Sequence, residues 1–204
     1  MTLKIFFLRH GETVASKTGG FCGTSDVELT PEGEIMAKDF AVAYSTVPWK
    51  AVFSSPMRRT IATAKPLCDL IGMEMQLRAG LKEINFGAWE GKTPSEVNKE
   101  FHDEYVRWQS EPGWNAPPDG ERAIDIARRS SEVIEEIEQT YPSGNVLIVS
   151  HKATIRIMLC SLLGIDVGRY RDRIYMPVAA VSVLEFCEQG PLLLKLSDRS
   201  HLKS

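Results

Sequence analysis

The sequence lacks the patterns that would indicate a metal centre, a redox motif or a secretion signal. Its four cysteines, Cys22, Cys68, Cys160 and Cys187, are far apart and include no CxxC pair, so neither a zinc motif nor a thiol-redox motif is present. We expect each to be a buried thiol. The opening apolar stretch 3–8 is too short for a membrane span or a signal peptide. These features predict a reducing, cytoplasmic setting and no membrane partner.

An excess of positive charge is also missing. The 204 residues carry 24 Lys and Arg against 27 Asp and Glu, a formal net charge of −3. Such a chain has no overall basic field to attract nucleic acid or anionic membranes. Binding of an anion must therefore depend on a local group of cations. The sequence shows neither repeats nor a linker, and its length predicts one domain over residues 1–204.

Short apolar runs alternate with amphipathic segments. Residues 4–8, 51–54 and 145–149 are continuous β-branched or aromatic runs, as expected of strands covered on both faces. Residues 179–186 and 192–196 predict a closing hairpin around 189–191. The alternation predicts a three-layer α/β/α sandwich with a largely parallel central sheet. An edge strand in the hairpin would allow a homodimer unless that edge is blocked.

Capping residues mark the predicted helices. Thr30-Pro31-Glu32 opens one helix, Gly72 closes another, and 93–96 is a capping box with proline at the first helical position. Two apolar stripes then occur at helical spacing, and we assign both to the core. They comprise Val97, Phe101, Tyr105 and Trp108 in the third helix and Ile124, Ala127, Ile134 and Ile137 in the fourth. Residues 111–120 are rich in proline and glycine, which predicts an exposed loop.

Polar residues follow three of the predicted strands. Arg9 and His10 end the first strand, Arg59 comes shortly after the second, and His151 and Lys152 follow the strand 145–149. The carboxyl ends of parallel strands meet at one edge of a sheet, where ligands bind. Guanidinium groups and helix-start amides together suit a phosphate. A phosphate-binding site is therefore predicted at this edge.

A metal site is the other way to use two histidines and a carboxylate. Arg9 and Arg59 would place fixed positive charges beside a dication, and no two candidate ligands have a close helical spacing such as HExxH. We therefore expect no metal and no other cofactor. His102 lies in a predicted helix away from the strand ends, so it is expected to be a solvated residue.

Five segments together resemble a known family. The segment 8–13, Leu-Arg-His-Gly-Glu-Thr, resembles the RHG signature of the histidine phosphatase superfamily, which includes the cofactor-dependent phosphoglycerate mutases and many small-molecule phosphatases. The likeness continues in the same order through 29–33, 54–64, 83–91 and 149–151, so it spans nearly the whole chain. It implies a phosphoglycerate mutase-like fold.

The resemblance also implies a metal-independent reaction on a small phosphorylated metabolite. His10 would attack phosphorus to form a phosphohistidine, and Arg9, Arg59 and His151 would hold the phosphoryl oxygens. Glu83 would act as general acid and then as general base. A neutral imidazole, with a pKa near ~6.5, needs no separate base to act as a nucleophile at neutral pH. The expected substrate-binding positions are Gly11, Ser16, Cys22, Gly23, Thr24, Phe86, Trp89 and Lys152.

Two of these positions depart from the family pattern. Ser16 stands where many members carry asparagine, and a serine hydroxyl reaches less far. Lys152 stands where many members have glycine, so it either adds charge to the pocket or points into solvent. The pocket walls are expected among Phe86, Trp89, Trp108 and Trp114, with Trp108 more suited to the core. Gly11 would let the backbone come close because it has no Cβ.

The choice of reaction depends on weaker signals. The phosphoglycerate mutases of this superfamily usually have a longer segment before the equivalent of Asp119-Gly120 and a tyrosine where this chain has Phe86. The short segment here favours the branch that includes α-ribazole phosphatases. Arg128 and Arg129 lie after that segment and are expected on the surface. In the tail, the segments 178–184, 193–196 and 201–202 are similar to metal-independent phosphoserine phosphatases. L-phosphoserine is therefore the leading substrate candidate, ahead of α-ribazole 5′-phosphate and phosphoglycerate-type metabolites. The alternatives are a cofactor-dependent phosphoglycerate mutase and a catalytically idle phosphate-binding module.

Overall fold

The computed structural model describes residues 2–203. Its strands are β1 (Leu3–Arg9), β2 (Trp49–Ser54), β3 (Met75–Leu77), β4 (Gly144–Ser150), β5 (Val181–Cys187) and β6 (Gly190–Asp198). Its α-helices are α1 (Val14–Thr18), α2 (Pro31–Tyr44), α3 (Arg58–Ile71), α4 (Pro94–Glu100), α5 (His102–Ser110), α6 (Ala123–Thr140), α7 (Lys152–Leu162) and α8 (Tyr170–Arg173). No helix within residues 2–203 has the length and apolar character needed to span a membrane.

The strands form one six-stranded sheet in the order β3-β2-β4-β1-β5-β6. The pairs among β3, β2, β4 and β1 are parallel, whereas β5 pairs antiparallel with both β1 and β6. The register sets Arg9 opposite Ser150 and Ser54 opposite Val149. The segments that follow β1, β2 and β4 therefore leave the sheet side by side.

Helices cover both faces of the sheet, which confirms the predicted three-layer sandwich. Alternate residues of β1 point to opposite faces, as the two-residue period of a strand requires. Ile5 and Phe7 pack with α6, α7 and α8, whereas Leu8 packs with Phe40 of α2 and Leu67 of α3. The polar cluster at the strand ends is thus supported by a separate apolar core on each side.

The predicted hairpin is present, but its turn is Glu188-Gln189 and β6 already begins at Gly190. The strand β3 was not predicted, because three residues are too few to show a period. The expected third helix is two helices. Phe101, with φ −134° and ψ 45°, ends α4 and begins α5, although Val97 and Trp108 still share one apolar cluster.

Several burial predictions need correction. Residues 111–120 form irregular structure, yet Pro112, Gly113 and Pro117 within them are buried. On α6, Ile126 and Ala127 are buried and Ile124 is only partly so. Cys68 and Cys160 are buried thiols as expected, whereas Cys22 and Cys187 are only partly buried.

Candidate active site

The register of the sheet brings His10 and His151 together. His10 follows β1 and its backbone amide donates to the Ser150 carbonyl at 3.0 Å, while Arg9 ends β1 opposite Ser150. The ring centroids of His10 and His151 are 5.3 Å apart. Both side chains are buried, with exposed fractions of 5% and 0%. Two histidines 141 positions apart thus meet because β1 and β4 are parallel neighbours.

The tautomer of His10 follows from the hydrogen bond that its ring makes with Gly11. Its Nδ1 lies 2.8 Å from the carbonyl oxygen of Gly11. A carbonyl has no proton to donate, so Nδ1 must carry the hydrogen and the lone pair belongs to Nε2. Burial, together with the charges of Arg9 and Arg59, holds the pKa of His10 well below its usual value. At neutral pH the ring is neutral, and Nε2 has the lone pair that a nucleophile needs.

Arg59 holds several groups of this site at once. It lies in the first turn of α3 and is only 1% exposed. Its Nη1 donates to the Ser25 carbonyl at 2.8 Å and its Nη2 to the Gly23 carbonyl at 2.9 Å, while its Nε donates to Nδ1 of His151 at 3.1 Å. The neighbouring Arg58 is exposed and pairs with Glu28.

His151 is enclosed by protein partners. Because Nδ1 accepts from Arg59, Nε2 carries the proton and donates to Oγ of Ser55 at 2.9 Å. Burial and then the charge of Arg59 lower its pKa well below the usual value. His10 and Arg59 line a cavity at this edge of the sheet, whereas His151 does not. A contact between His151 and a phosphoryl oxygen therefore requires Nε2 to exchange Ser55 for the ligand.

Glu83 is fixed at the start of α7. Its Oε1 accepts from the backbone amides of Ile84 and Thr154 at 3.0 and 3.1 Å. It also lies 3.1 Å from Oγ1 of Thr154, whose single hydrogen is donated to the Lys82 carbonyl at 2.7 Å. Its Oε2 accepts from the amide of Ala153 at 3.1 Å. The Glu83 carbonyl accepts from Nη2 of Arg129 at 3.2 Å. Arg129 is therefore a half-buried support of the Glu83 segment, contrary to the surface position predicted for it.

Arg9, His10, Arg59 and Glu83 line one cavity of about 300 Å³. The Nη1 of Arg9 donates to the Met176 carbonyl at 2.7 Å, whereas its buried Nε has no partner within residues 2–203. Of the other expected positions, Ser16, Cys22, Phe86 and Lys152 line this cavity. The hydroxyl of Ser16 accepts from the Thr13 amide and donates to the Thr13 carbonyl, so these two hydrogen bonds fix its orientation.

Four expected substrate positions do not line the cavity. Trp89 is fully buried in an aromatic cluster, because Tyr105 and Trp108 of α5 pack on its ring. Gly11 packs on α2, where a Cβ would lie 2.5 Å from the Gly33 carbonyl oxygen. The amides of Gly23 and Thr24 donate to the Glu90 carboxylate, which orders the loop that holds Arg59.

The other aromatic predictions have mixed outcomes. Trp108 is 3% exposed and belongs to the core as expected, and it also lines the cavity. Trp114 is 61% exposed and lies outside the cavity. His102 is exposed on α5 as predicted. In the tail, the ring of His201 packs on those of Phe40 and Tyr44, with centroid distances of 5.6 and 5.8 Å, and it does not line the cavity.

Sequence reasoning missed two cations and several aromatic walls of the cavity. Arg156 and Arg171 line it, as do Phe21, Tyr105 and Tyr170. The signal for Arg156 was its position four residues after Lys152, which places both on one face of α7. No local pattern marks Arg171, because α8 reaches the cavity only through the fold. Within residues 2–203, no group of three His, Cys, Asp or Glu side chains is arranged to hold a metal ion.

Known proteins of similar sequence include phosphatases. The chain is 28% identical over 200 residues to phosphoserine phosphatase 1 of Hydrogenobacter thermophilus, covering 98% of this chain and 94% of that one. It is 26% identical over 199 residues to the adenosylcobalamin/α-ribazole phosphatase of Salmonella typhimurium, covering 97% and 98%.

Solved structures show the same fold. Bacillus stearothermophilus YhfR superposes with a TM-score of 0.91 at 24% identity, covering 98% of this chain and 100% of that one. The phosphoserine phosphatase of Entamoeba histolytica, in complex with 3-phosphoglyceric acid, superposes with a TM-score of 0.88 at 27% identity, covering 98% and 100%. The family model of the histidine phosphatase superfamily (branch 1) matches residues 5–199, so the chain belongs to this superfamily.

Proposed function

We propose that the protein is a phosphatase of small phosphorylated metabolites that works through a phosphohistidine on His10. The observation that carries the proposal is the state of His10, a neutral ring whose Nδ1 is tied to Gly11 and whose Nε2 is free beside Arg9 and Arg59. In the first step Nε2 forms a bond to phosphorus while the ester P–O bond breaks. The leaving oxygen takes a proton from Glu83.

The second step returns the enzyme to its starting state. Glu83 removes a proton from a water molecule whose oxygen attacks the phosphohistidine. The N–P bond breaks, inorganic phosphate leaves, and His10 regains its lone pair. The three backbone amides that donate to Glu83 keep its carboxyl group in one place for both proton transfers.

Fixed cations would stabilise the transferring group. Arg9 and Arg59 are buried, so their attraction for phosphoryl oxygens is only weakly screened by water. The partnerless Nε of Arg9 is a donor that a phosphoryl oxygen would satisfy. Because these groups already supply positive charge, we propose that the reaction needs no metal ion.

L-phosphoserine is the first substrate to test, followed by phosphoglycerate-type compounds and α-ribazole 5′-phosphate. The relatives named for phosphoserine and α-ribazole support this choice. A cavity of about 300 Å³ suits a small metabolite. We further propose that residues 1–204 act as one domain in the cytoplasm.

The test is phosphate release from L-phosphoserine, 3-phosphoglycerate, α-ribazole 5′-phosphate and p-nitrophenyl phosphate, with and without EDTA. Wild type, His10→Ala and His102→Ala would be compared, the last as a matched control because His102 is exposed and outside the cavity. Release that resists EDTA and disappears only in His10→Ala is expected. Loss of release in EDTA would overturn metal independence. Phosphoryl return to a second substrate molecule, without release, would indicate a mutase.

A further inference from the structure

Three cations of the cavity have no part in the phosphoryl transfer proposed above. Lys152 and Arg156 lie one turn apart on α7, Arg171 belongs to α8, and all three line the cavity. Within residues 2–203, none of the three has a carboxylate oxygen within 4.0 Å. The three therefore form a positive group without an ion-pair partner in the described part of the chain.

These cations are positioned by neutral groups. The Nε of Arg156 donates to the Ile174 carbonyl, and its Nη2 donates to the Arg171 carbonyl at 2.9 Å. The guanidinium of Arg171 lies over the ring of Trp108, 3.9 Å from the ring centre. A guanidinium stacked on an aromatic face keeps its N–H edge available for an anion.

The arrangement is electrostatically unfavourable when the cavity holds no anion. Lys152 is the first residue of α7, and the amino end of a helix disfavours a cation. Like charges four residues apart, such as Lys152 and Arg156, also repel. Lys152 is exposed at the cavity, and loss of part of its hydration together with the charges of Arg9 and Arg156 lowers its pKa. An anion bound between these groups would remove the repulsion.

The charge of a phosphate alone does not balance the cavity. Arg9, Arg59, Lys152, Arg156 and Arg171 line it, and Glu83 is the one carboxylate among its lining residues. Both histidines are neutral because their pKa values are well below neutral pH. A phosphate monoester brings about two negative charges at neutral pH. Two positive charges are then left without a partner while Glu83 is ionised, and three when it carries the proton for the leaving group.

We propose that Lys152, Arg156 and Arg171 form a subsite for a carboxylate on the leaving group of the substrate. The inference rests on the proposed function, since it assumes that the phosphoryl group lies on His10. Forked guanidinium groups bind a carboxylate through two parallel hydrogen bonds. The substrate class is then phosphorylated carboxylic acids, and α-ribazole 5′-phosphate, which has no carboxylate, is a poor substrate.

Two matched pairs of compounds test the subsite. 3-Phosphoglycerate and glycerol 3-phosphate differ by a carboxylate in place of a hydroxymethyl group, and L-phosphoserine and phosphoethanolamine differ by a carboxylate in place of hydrogen. We expect wild type to prefer the acid of each pair by at least about tenfold in kcat/KM, the effect of one charged contact. Arg171→Gln and Lys152→Gln should each reduce that ratio, mainly by raising KM for the acid.

The matched control for Arg171→Gln is Arg173→Gln, because Arg173 lies on α8 as well but does not line the cavity. This variant should keep the wild-type ratio of kcat/KM between acid and non-acid. Equal rates for the two members of each pair in wild type, with phosphate released from both, would overturn the subsite and leave the proposed function standing. If no compound is hydrolysed, the proposed function fails. Calorimetric binding of the same pairs to His10→Ala then decides the subsite, which requires the acid to bind about tenfold more tightly.

Discussion

The Nε of Arg59 donates a hydrogen bond to Nδ1 of His151 at 3.1 Å. The same guanidinium is bonded to the carbonyls of Gly23 and Ser25, so one side chain of α3 connects the 23–25 loop to the end of β4. Arg59 thereby fixes which nitrogen of His151 carries the proton. A residue assigned only to phosphate binding also positions the second histidine.

The substitution Arg59→Lys tests this connection. A lysine ammonium cannot reach two carbonyls and an imidazole nitrogen with one planar group. We expect kcat/KM to fall by about 100-fold, as for loss of one preorganised donor to a transition-state oxyanion. Arg58→Lys is the control, because Arg58 is the exposed neighbour on the same helix. Steady-state kinetics that show equal activity for both variants would contradict the role given to Arg59.

The substitution Glu83→Gln should separate acid catalysis from binding. Activity on an alkyl phosphate should fall by about 100-fold or more, because its leaving oxygen needs a proton. Activity on p-nitrophenyl phosphate, whose leaving group departs as the anion, should fall much less. The exposed Glu132→Gln on α6 is the control. Equal losses on both substrates would show that Glu83 does not protonate the leaving group.

The histidines also predict a pH dependence of stability. Burial and the neighbouring arginines hold the pKa values of His10 and His151 well below the ordinary value. In the unfolded chain an imidazole titrates near about 6.5, so below that pH the unfolded chain binds protons that the folded protein does not. The free energy of unfolding therefore decreases as pH falls through about 6.5 toward the lower folded pKa values.

Urea unfolding at about pH 7.5 and about pH 5 measures this change in the free energy of unfolding. Wild type should lose more stability than His10→Ala over this range, because the variant lacks a buried ring whose pKa is lowered on folding. His102→Ala should follow wild type because its ring is exposed. The explanation fails if His10→Ala shows the same pH dependence as wild type.

Trp89 should affect stability more than substrate choice. Its ring is fully buried against Tyr105 and Trp108, with ring centroids 5.6 and 5.3 Å away. Trp89→Ala should destabilise the protein by about 3–5 kcal/mol, because it removes a large aromatic ring from the core. Trp114→Ala, at an exposed position, should change stability by less than about 0.5 kcal/mol. Chemical unfolding of both variants provides the comparison.

The sequence predicts the strands, which have a local apolar pattern, and the meeting of the residues that follow parallel strands. The buried runs in β1, β2 and β4 were evident, and the edge at which they end placed Arg9, His10 and His151 near one another. The antiparallel hairpin was also evident, because two apolar runs flank a turn sequence. The break at Phe101 was not, because apolar spacing continued across it.

Contacts that depend on how helices and loops pack around the site could not be predicted. Whether Trp89 lines a pocket or fills a core depends on α4 and α5 packing around it, and sequence period is the same in either case. Arg171 reaches the cavity through α8, and Arg129 reaches the Glu83 carbonyl across 46 positions. Such placements depend on the tertiary fold, so one sequence contains no local signal for them.

The measurement that tests the central claim most directly is detection of the covalent intermediate. The enzyme would be mixed with the best substrate of the panel, quenched in alkali to preserve phosphohistidine, digested, and analysed by mass spectrometry. We predict phosphate on the ring of His10 in wild type, together with its absence in His10→Ala. Turnover without any phosphorylated enzyme, or with phosphate on another residue, would contradict the mechanism.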